Sequence, residues 1–196
     1  SKGKIMRGDE LLIILSKSIL EKRPGACIVF DVKCSSRLTD SIKKMKGKPV
    51  MSPTGHSLVR DRMNKEGALL GGELSGHIFY SDDYYGFDDA IYTSARLISY
   101  LSRFKETLSD IRKEIPTSVS TPEIRIPCKD DHVKFEIVTQ LKSMFKKDYE
   151  FNEIDGIRIA FNGGWALIRA SNTEPVIVLR FEADNKELLS SYKKIV

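Results

Sequence analysis

Three short segments gather side chains that packing alone does not call for. Gly71, Gly72 and Gly76 surround Glu73, Leu74, Ser75 and His77, so a stretch able to turn tightly carries a carboxylate, a hydroxyl and an imidazole. Those three groups alternate along the chain, and in an extended loop alternate positions face the same side. An acceptor, a donor–acceptor and an imidazole on one face suit adjacent sugar hydroxyls. The second segment is Arg169, Ala170, Ser171, Asn172, Thr173, Glu174 and Pro175, between two apolar runs. Its guanidinium fork, two hydroxyls, one amide and backbone N–H groups can surround a phosphate dianion. The third is split between Asp31-Val32-Lys33-Cys34-Ser35 and Thr54-Gly55-His56-Ser57. There Lys33 and His56 are supporting catalytic candidates, able to meet a phosphate or shuttle a proton. Each segment also has a plainer reading: a polar turn, a solvated hairpin loop, a surface lysine beside a helix cap. His132, among Asp130 and Asp131, reads as surface.

The elements that would carry these segments follow from periodicity. Gly8, Asp9 and Glu10 open an apolar run at helical spacing through Leu20, with acids in its first turn. Residues 26–32 form a β-rich run, Ser35 or Ser36 can cap a helix through Met45, and Val50, Met51 and Ser52 form a second strand. A helix over 57–65, a short strand at 78–80 and a helix from Asp88 or Asp89 through Leu101 follow. On that last helix Ile91, Tyr92, Leu97, Ile98 and Leu101 read as core packing. This alternation predicts an α/β fold: a mixed, mainly parallel sheet layered with helices, over residues 1–115. In such sheets ligands gather outside the carboxyl ends of the strands. Residues 116–122, with two prolines and four hydroxyl residues, read as a linker. Residues 123–196 then read as a smaller α+β domain with a four-stranded sheet and two helices. Its strands fall at 123–127, 157–161, 165–170 and 176–181, the middle two joined across Asn162-Gly163-Gly164.

Composition excludes several classes. Apolar residues make up 41% and charged residues 30%, an ordinary globular balance. The longest aliphatic run, residues 11–15, falls far short of the ~20 residues that span a bilayer, so no membrane partner is expected. The net charge is +5, with lysines clustered at 43–48 and 142–147. Those clusters lie on helical patterns without interleaved aromatic rings, so they read as solvated helix faces and not as a nucleic-acid surface. Cys27, Cys34 and Cys128 are odd in number and lack metal-ligand spacing, which fits reduced thiols in a cytoplasmic protein.

The motifs also carry a resemblance. Gly-Glu-Leu-Ser-Gly-His at 72–77 resembles the sugar-binding loop of the α-D-phosphohexomutases, and Arg-Ala-Ser-Asn-Thr-Glu-Pro at 169–175 resembles their phosphate-binding loop. Asp-Val-Lys-Cys-Ser at 31–35, Thr-Gly-His-Ser at 54–57 and Gly-Phe-Asp-Asp at 86–89 look like family segments in the family's order. Asn172 is similar to the phosphomannomutase/phosphoglucomutase branch, where phosphoglucosamine mutases usually carry Gly. Leu74 replaces the Met or Gln of relatives, and Pro53 stands where many have Lys.

The resemblance implies the third and fourth of four domains. The missing first and second domains would hold the phosphorylatable serine and the acidic magnesium loop, so no metal ligand of the family falls in this chain. It further implies interconversion of hexose 1-phosphate and hexose 6-phosphate through a hexose 1,6-bisphosphate, with Mg2+ in the full-length enzyme and a phosphorylated hexose as partner. Glu73, Leu74, Ser75, Gly76 and His77 would bind the sugar; Arg169, Ala170, Ser171, Asn172 and Thr173 would hold the phosphate that is not reacting. Alternatives are a phosphoglucosamine mutase and a non-enzymatic sugar-phosphate binding module.

Overall fold

A computed structural model describes Gly3 and residues 5–196. The chain forms two compact units, Ser1–Pro116 and Thr117–Val196.

The first unit runs α1 (Gly8–Leu20), β1 (Cys27–Asp31), α2 (Ser36–Lys44), β2 (Lys48–Ser52), α3 (His56–Glu66), β3 (Leu70–Gly72), β4 (Ile78–Tyr80), α4 (Ala90–Leu101) and α5 (Leu108–Lys113). Its sheet has the order β2-β1-β3-β4. β1 pairs in parallel with β2 and β3, whereas β3 and β4 are antiparallel, so the sheet is mixed and mainly parallel as the sequence pattern predicts. The register sets Asp31 opposite Ser52 and Phe30 opposite Gly72, which brings the carboxyl ends of β1, β2 and β3 to one edge. All three candidate loops of this unit leave from that edge. Every residue of β1 is buried, as expected of a strand covered on both faces.

One expectation about packing is corrected. Ile91 and Ile98 on α4 are 85% and 66% exposed, while Tyr92 and Leu97 pack on the core and Tyr100 is buried within it. Ile91 and Ile98 lie seven residues apart and share a face, but the inward stripe runs through Thr93, Leu97 and Tyr100. The apolar residues occur on both sides of the helix, so counting them did not locate the buried face.

The second unit runs β5 (Val119–Ser120), β6 (Ile124–Pro127), α6 (Asp131–Phe145), β7 (Phe151–Asn152), β8 (Ile157–Phe161), β9 (Gly164–Ala170), β10 (Val176–Ala183) and α7 (Lys186–Ile195). The four expected strands are present and antiparallel, and two strands of two residues each, β5 and β7, extend the sheet. β5 falls inside the stretch read as a linker, where the pairing of Ser120 with Glu182 ties it to β10. Ala166, Ile168 and Ala170 on β9, with Ile177 and Phe181 on β10, face the helices: Val138 of α6 joins one buried cluster, Tyr192 of α7 the other. The alternate positions carry Trp165, Arg169, Arg180 and Glu182, all buried, so this sheet hides charge on its second face.

Candidate functional site

In the first unit, Asp31 is the point where three loops meet. It ends β1 with no exposed surface. Its Oδ1 accepts the Leu74 N–H at 3.0 Å and the Cys34 S–H at 3.1 Å, and its Oδ2 accepts the Thr54 hydroxyl at 3.1 Å. Lys33 Nζ lies 3.8 Å from Oδ2. The sequence segment 31–35 suggested Lys33 as the functional member. Structurally its neighbour Asp31 is the hub, and the signal was a carboxylate closing an otherwise apolar strand.

The loop at 73–77 is not extended as the sequence argument assumed. β3 and β4 are antiparallel neighbours, so the five residues between them must reverse direction. The Glu73 N–H donates to the His77 carbonyl at 2.9 Å and the Gly76 N–H to the Glu73 carbonyl at 3.0 Å. Gly76 has φ +101°, a region that side chains with a Cβ avoid. The turn still converges the expected groups: Ser75 Oγ lies 3.4 Å from Glu73 Oε2, and Glu73 feels the charge of His77. Leu74 turns its side chain to the core and offers the loop only its backbone. Beneath the turn, Gly8 at the start of α1 lies so close that a Cβ there would stand 2.4 Å from the Glu73 carbonyl oxygen. The next residue, Asp9, accepts the Ser35 N–H at 3.1 Å. The first turn of α1 thus braces the 31–35 and 73–77 loops together.

Glu73 is 4% exposed, and its Oε1 has no hydrogen-bond partner. Burial, and next the nearby Asp31 carboxylate, push its carboxyl above the ordinary range; His77, Lys33 and His56 act in the opposite sense. A buried acceptor without a donor is costly unless a ligand supplies one.

His77 is held by Asp88, which the sequence reads as a helix start and as part of a family segment, without a role in the site. His77 Nδ1 lies 2.6 Å from Asp88 Oδ2, and Asp88 Oδ1 accepts the Ile78 N–H at 3.2 Å. A carboxylate only accepts, so Nδ1 carries the proton and Nε2 is left as the working nitrogen. Asp89, its neighbour, is the actual cap of α4, accepting the Tyr92 N–H at 2.8 Å. His56, exposed at the first position of α3, sets its ring 4.4 Å from that of His77, edge to face. The 54–57 loop therefore contributes to the same site, and Pro53 does not prevent it.

In the second unit the loop after β9 is a sharp hairpin. The Ser171 N–H donates to the Val176 carbonyl at 2.9 Å, and the Thr173 N–H to Ser171 Oγ at 3.3 Å. Ser171 is buried, whereas Asn172, Thr173 and Glu174 are exposed. Arg169 is 5% exposed; its Nε donates to Asp155 Oδ2 at 2.8 Å, and its Nη2 has no partner. One edge of the fork is thus oriented by a carboxylate, and the other end holds a donor in reserve. Ala170 packs into the core, so only its backbone is available to the loop.

Lys134 was missed. It sits on α6 at 1% exposure, and its Nζ donates to the Glu174 carbonyl at 2.9 Å and to Asp131 at 2.7 Å. The Glu174 carboxylate pairs with Arg125 on β6. The loop is clamped from a helix and a neighbouring strand, and a lysine on an amphipathic helix gave no sequence signal of that. His132 is exposed, as its sequence context indicated.

No helix among the described residues is long and apolar enough to cross a membrane. Comparison with known proteins bears on the family and the fold. Residues 7–119 match the family model described as phosphoglucomutase/phosphomannomutase, alpha/beta/alpha domain III, and residues 123–196 match its C-terminal domain. The chain is 46% identical over 185 residues to the phosphomannomutase/phosphoglucomutase of Pseudomonas syringae pv. tomato, a match covering 94% of this chain and 40% of that protein. It is 40% identical over 186 residues to the phosphoglucomutase of Neisseria meningitidis serogroup A, again covering 94% of this chain and 40% of the relative. A solved structure of a phosphoglucomutase/phosphomannomutase family protein from Burkholderia thailandensis is similar with a TM-score of 0.90 at 39% identity, covering 98% of this chain and 41% of that one. The chain spans about two fifths of the length of these relatives. By sequence and by fold, it belongs to the phosphoglucomutase/phosphomannomutase family.

Proposed function

We propose that this chain supplies the sugar-gripping and phosphate-holding loops of a mutase that interconverts hexose 1-phosphate and hexose 6-phosphate through a hexose 1,6-bisphosphate. It does so together with the further domains that its longer relatives possess, among them the phosphoserine and magnesium loops. The observation that carries the reading is Glu73, a buried carboxylate with Oε1 unpartnered beside Ser75 and His77. Sugar hydroxyls are the donors that would complete it.

Each group then has a task. Glu73 accepts from two adjacent ring hydroxyls, O3 and O4, which look alike in both orientations of the substrate. His77 Nε2, aimed through Asp88, exchanges a proton with a hydroxyl, Lys33 adds positive charge around the reacting end, and the His56 imidazole beside that of His77 offers a further hydrogen-bonding group. Arg169 Nη2, Ser171 Oγ and the Asn172 and Thr173 side chains hold the phosphate that is not reacting. Positioning and charge compensation are most of what phosphoryl transfer asks of a protein.

Magnesium is a hard cation that takes oxygen ligands in near-octahedral geometry. Among the described residues the group of three candidate ligands is His56, His77 and Asp88, two imidazoles and a single carboxylate. These do not fit magnesium, and no step here depends on it.

The test is to titrate the chain with glucose 1-phosphate and mannose 1-phosphate while following its amide NMR signals, and to assay it for mutase activity. The expected result is saturable shifts at residues 73–77 and 169–173 without turnover. Clear turnover by this chain alone, or shifts confined to other residues, would overturn the reading.

A further inference from the structure

The cluster that magnesium does not fit suits a different class of ion. His56, His77 and Asp88 each offer one ligand atom, and these atoms lie within 4.8 Å of one another. A tetrahedral zinc ion with bonds of about 2.0–2.1 Å needs its ligand atoms roughly 3.4 Å apart. His77 Nδ1 and Asp88 Oδ2, 2.6 Å apart, must open slightly to admit the ion, and His56, exposed in the first turn of α3, is the residue able to move in. Imidazole nitrogen with one carboxylate is a donor set for zinc and its borderline transition-metal neighbours, not for the hard alkaline-earth ions.

Two further observations point to a cation at this place. Asp88 arrives pre-oriented, because its Oδ1 is fixed by the Ile78 N–H, leaving Oδ2 for the site. Glu73 stands within electrostatic reach of both imidazoles, almost fully buried, with Oε1 unpartnered. Three carboxylates lie in this neighbourhood: Asp88 holds His77, and Glu73 feels both imidazoles and Asp31, with Lys33 as the cation paired to Asp31. A divalent ion would offset that excess of negative charge.

We infer that His56, His77 and Asp88 form a binding site for a zinc-class divalent ion, with water in the remaining position. On binding, the proton that Asp88 and His77 share at Nδ1 leaves for solvent, and the metal takes its place between the two residues. An ion so placed replaces the Asp88 contact that aims the His77 imidazole and ties up His56, so zinc would act on this chain as an inhibitory ligand. That consequence rests on the sugar-loop reading above; the site itself does not.

The test uses the chain after chelator treatment and dialysis, titrated with Co2+ by visible absorption and with Zn2+ by calorimetry. One equivalent of Co2+ is expected to give the intense d–d bands of a low-coordinate nitrogen–oxygen site, and Zn2+ to displace it. His56→Ala, His77→Ala and Asp88→Asn should each weaken binding by at least tenfold. The chain's remaining histidine is His132, and Cys128 is its one cysteine that is not buried. The double variant His132→Ala/Cys128→Ser should therefore bind as the wild type does. His56 is exposed, so His56→Ala should keep the far-ultraviolet dichroism of the wild type. Absence of a stoichiometric site, loss of binding in the His132/Cys128 variant, or full affinity in folded His56→Ala would each overturn the assignment.

Discussion

Asp31 Oδ1 accepts the backbone N–H of Leu74 at 3.0 Å, joining the end of the first strand to the 73–77 loop across 43 residues of sequence. Its other oxygen takes the Thr54 hydroxyl, so one buried carboxylate spaces two loops. Asp31→Ala leaves the Leu74 N–H, the Thr54 hydroxyl and Lys33 without this acceptor. A cost of about 1–3 kcal/mol in unfolding free energy is expected, the usual penalty for orphaned polar groups. Amide exchange at Leu74 should accelerate more than at Val29 in the middle of β1; equal acceleration would mean that Asp31 serves the core and not the loop.

Arg169 joins stability to the proposed phosphate capture. Arg169→Ala removes the Nε donor to Asp155 and the Nη2 donor, so phosphosugar binding should weaken by about 1.5–3 kcal/mol, the range of a charge-assisted hydrogen bond. Arg169→Lys keeps the charge but loses the fork and should recover only part of this. Isothermal titration with glucose 1-phosphate measures both. Unchanged affinity in Arg169→Ala would displace the phosphate pocket from this loop.

Lys134 should separate the two effects. Its ion-pair partner Asp131 is 70% exposed, so Lys134→Met leaves no buried charge behind and should change stability little. The Glu174 carbonyl nevertheless loses its clamp, and phosphate affinity should fall by about 1 kcal/mol through a less ordered loop. Thermal melting and titration on one preparation give both numbers. A large drop in melting temperature with unchanged affinity would make Lys134 a core residue and nothing more.

The sequence disclosed the loops better than their supports. Glu73, Ser75 and His77 stood out because glycines isolate them, and the register of β1, β2 and β3 brings their loop to the edge that strand–helix alternation foretold. What stayed hidden acts over long sequence separation. Lys134 reaches Glu174 across 40 residues, and Asp31 and Asp9 each anchor a loop that no periodicity links to them. Asp88 was concealed by Asp89: two adjacent acids read as one helix cap, yet one caps the helix and the other aims an imidazole. The exposed Ile91 and Ile98 show the converse, since a helix with apolar residues on two faces does not declare which one is buried.

The pH dependence of Glu73 has a definite sign. Burial and then Asp31 raise its carboxyl in the folded chain, so the folded state favours the protonated form more than the unfolded chain does. The penalty is therefore absent below the ordinary glutamate range and grows as pH climbs through it towards the raised folded value. Glu73→Gln removes it: its melting temperature should exceed the wild type's at pH 7, and the gap should close towards pH 4. Matched melting temperatures across that range, or a gap that widens on acidification, would contradict the assignment of Glu73 as a strained buried carboxylate.

The most direct measurement of the central claim is the dissociation constant of three sugar 1-phosphates, read from the amide shifts of residues 73–77 in the wild-type chain and in Glu73→Gln. If Glu73 reads O3 and O4, glucose and mannose phosphates, which differ at C2, should bind within about tenfold of each other, ~1.4 kcal/mol. Galactose phosphate inverts O4 and would leave a buried acceptor unpaired, so it should bind more than tenfold weaker than glucose phosphate. Glu73→Gln should narrow that difference while weakening the two good ligands. Strong discrimination between glucose and mannose phosphates, or equal binding of galactose phosphate by the wild type, would show that the carboxylate of Glu73 does not read the sugar.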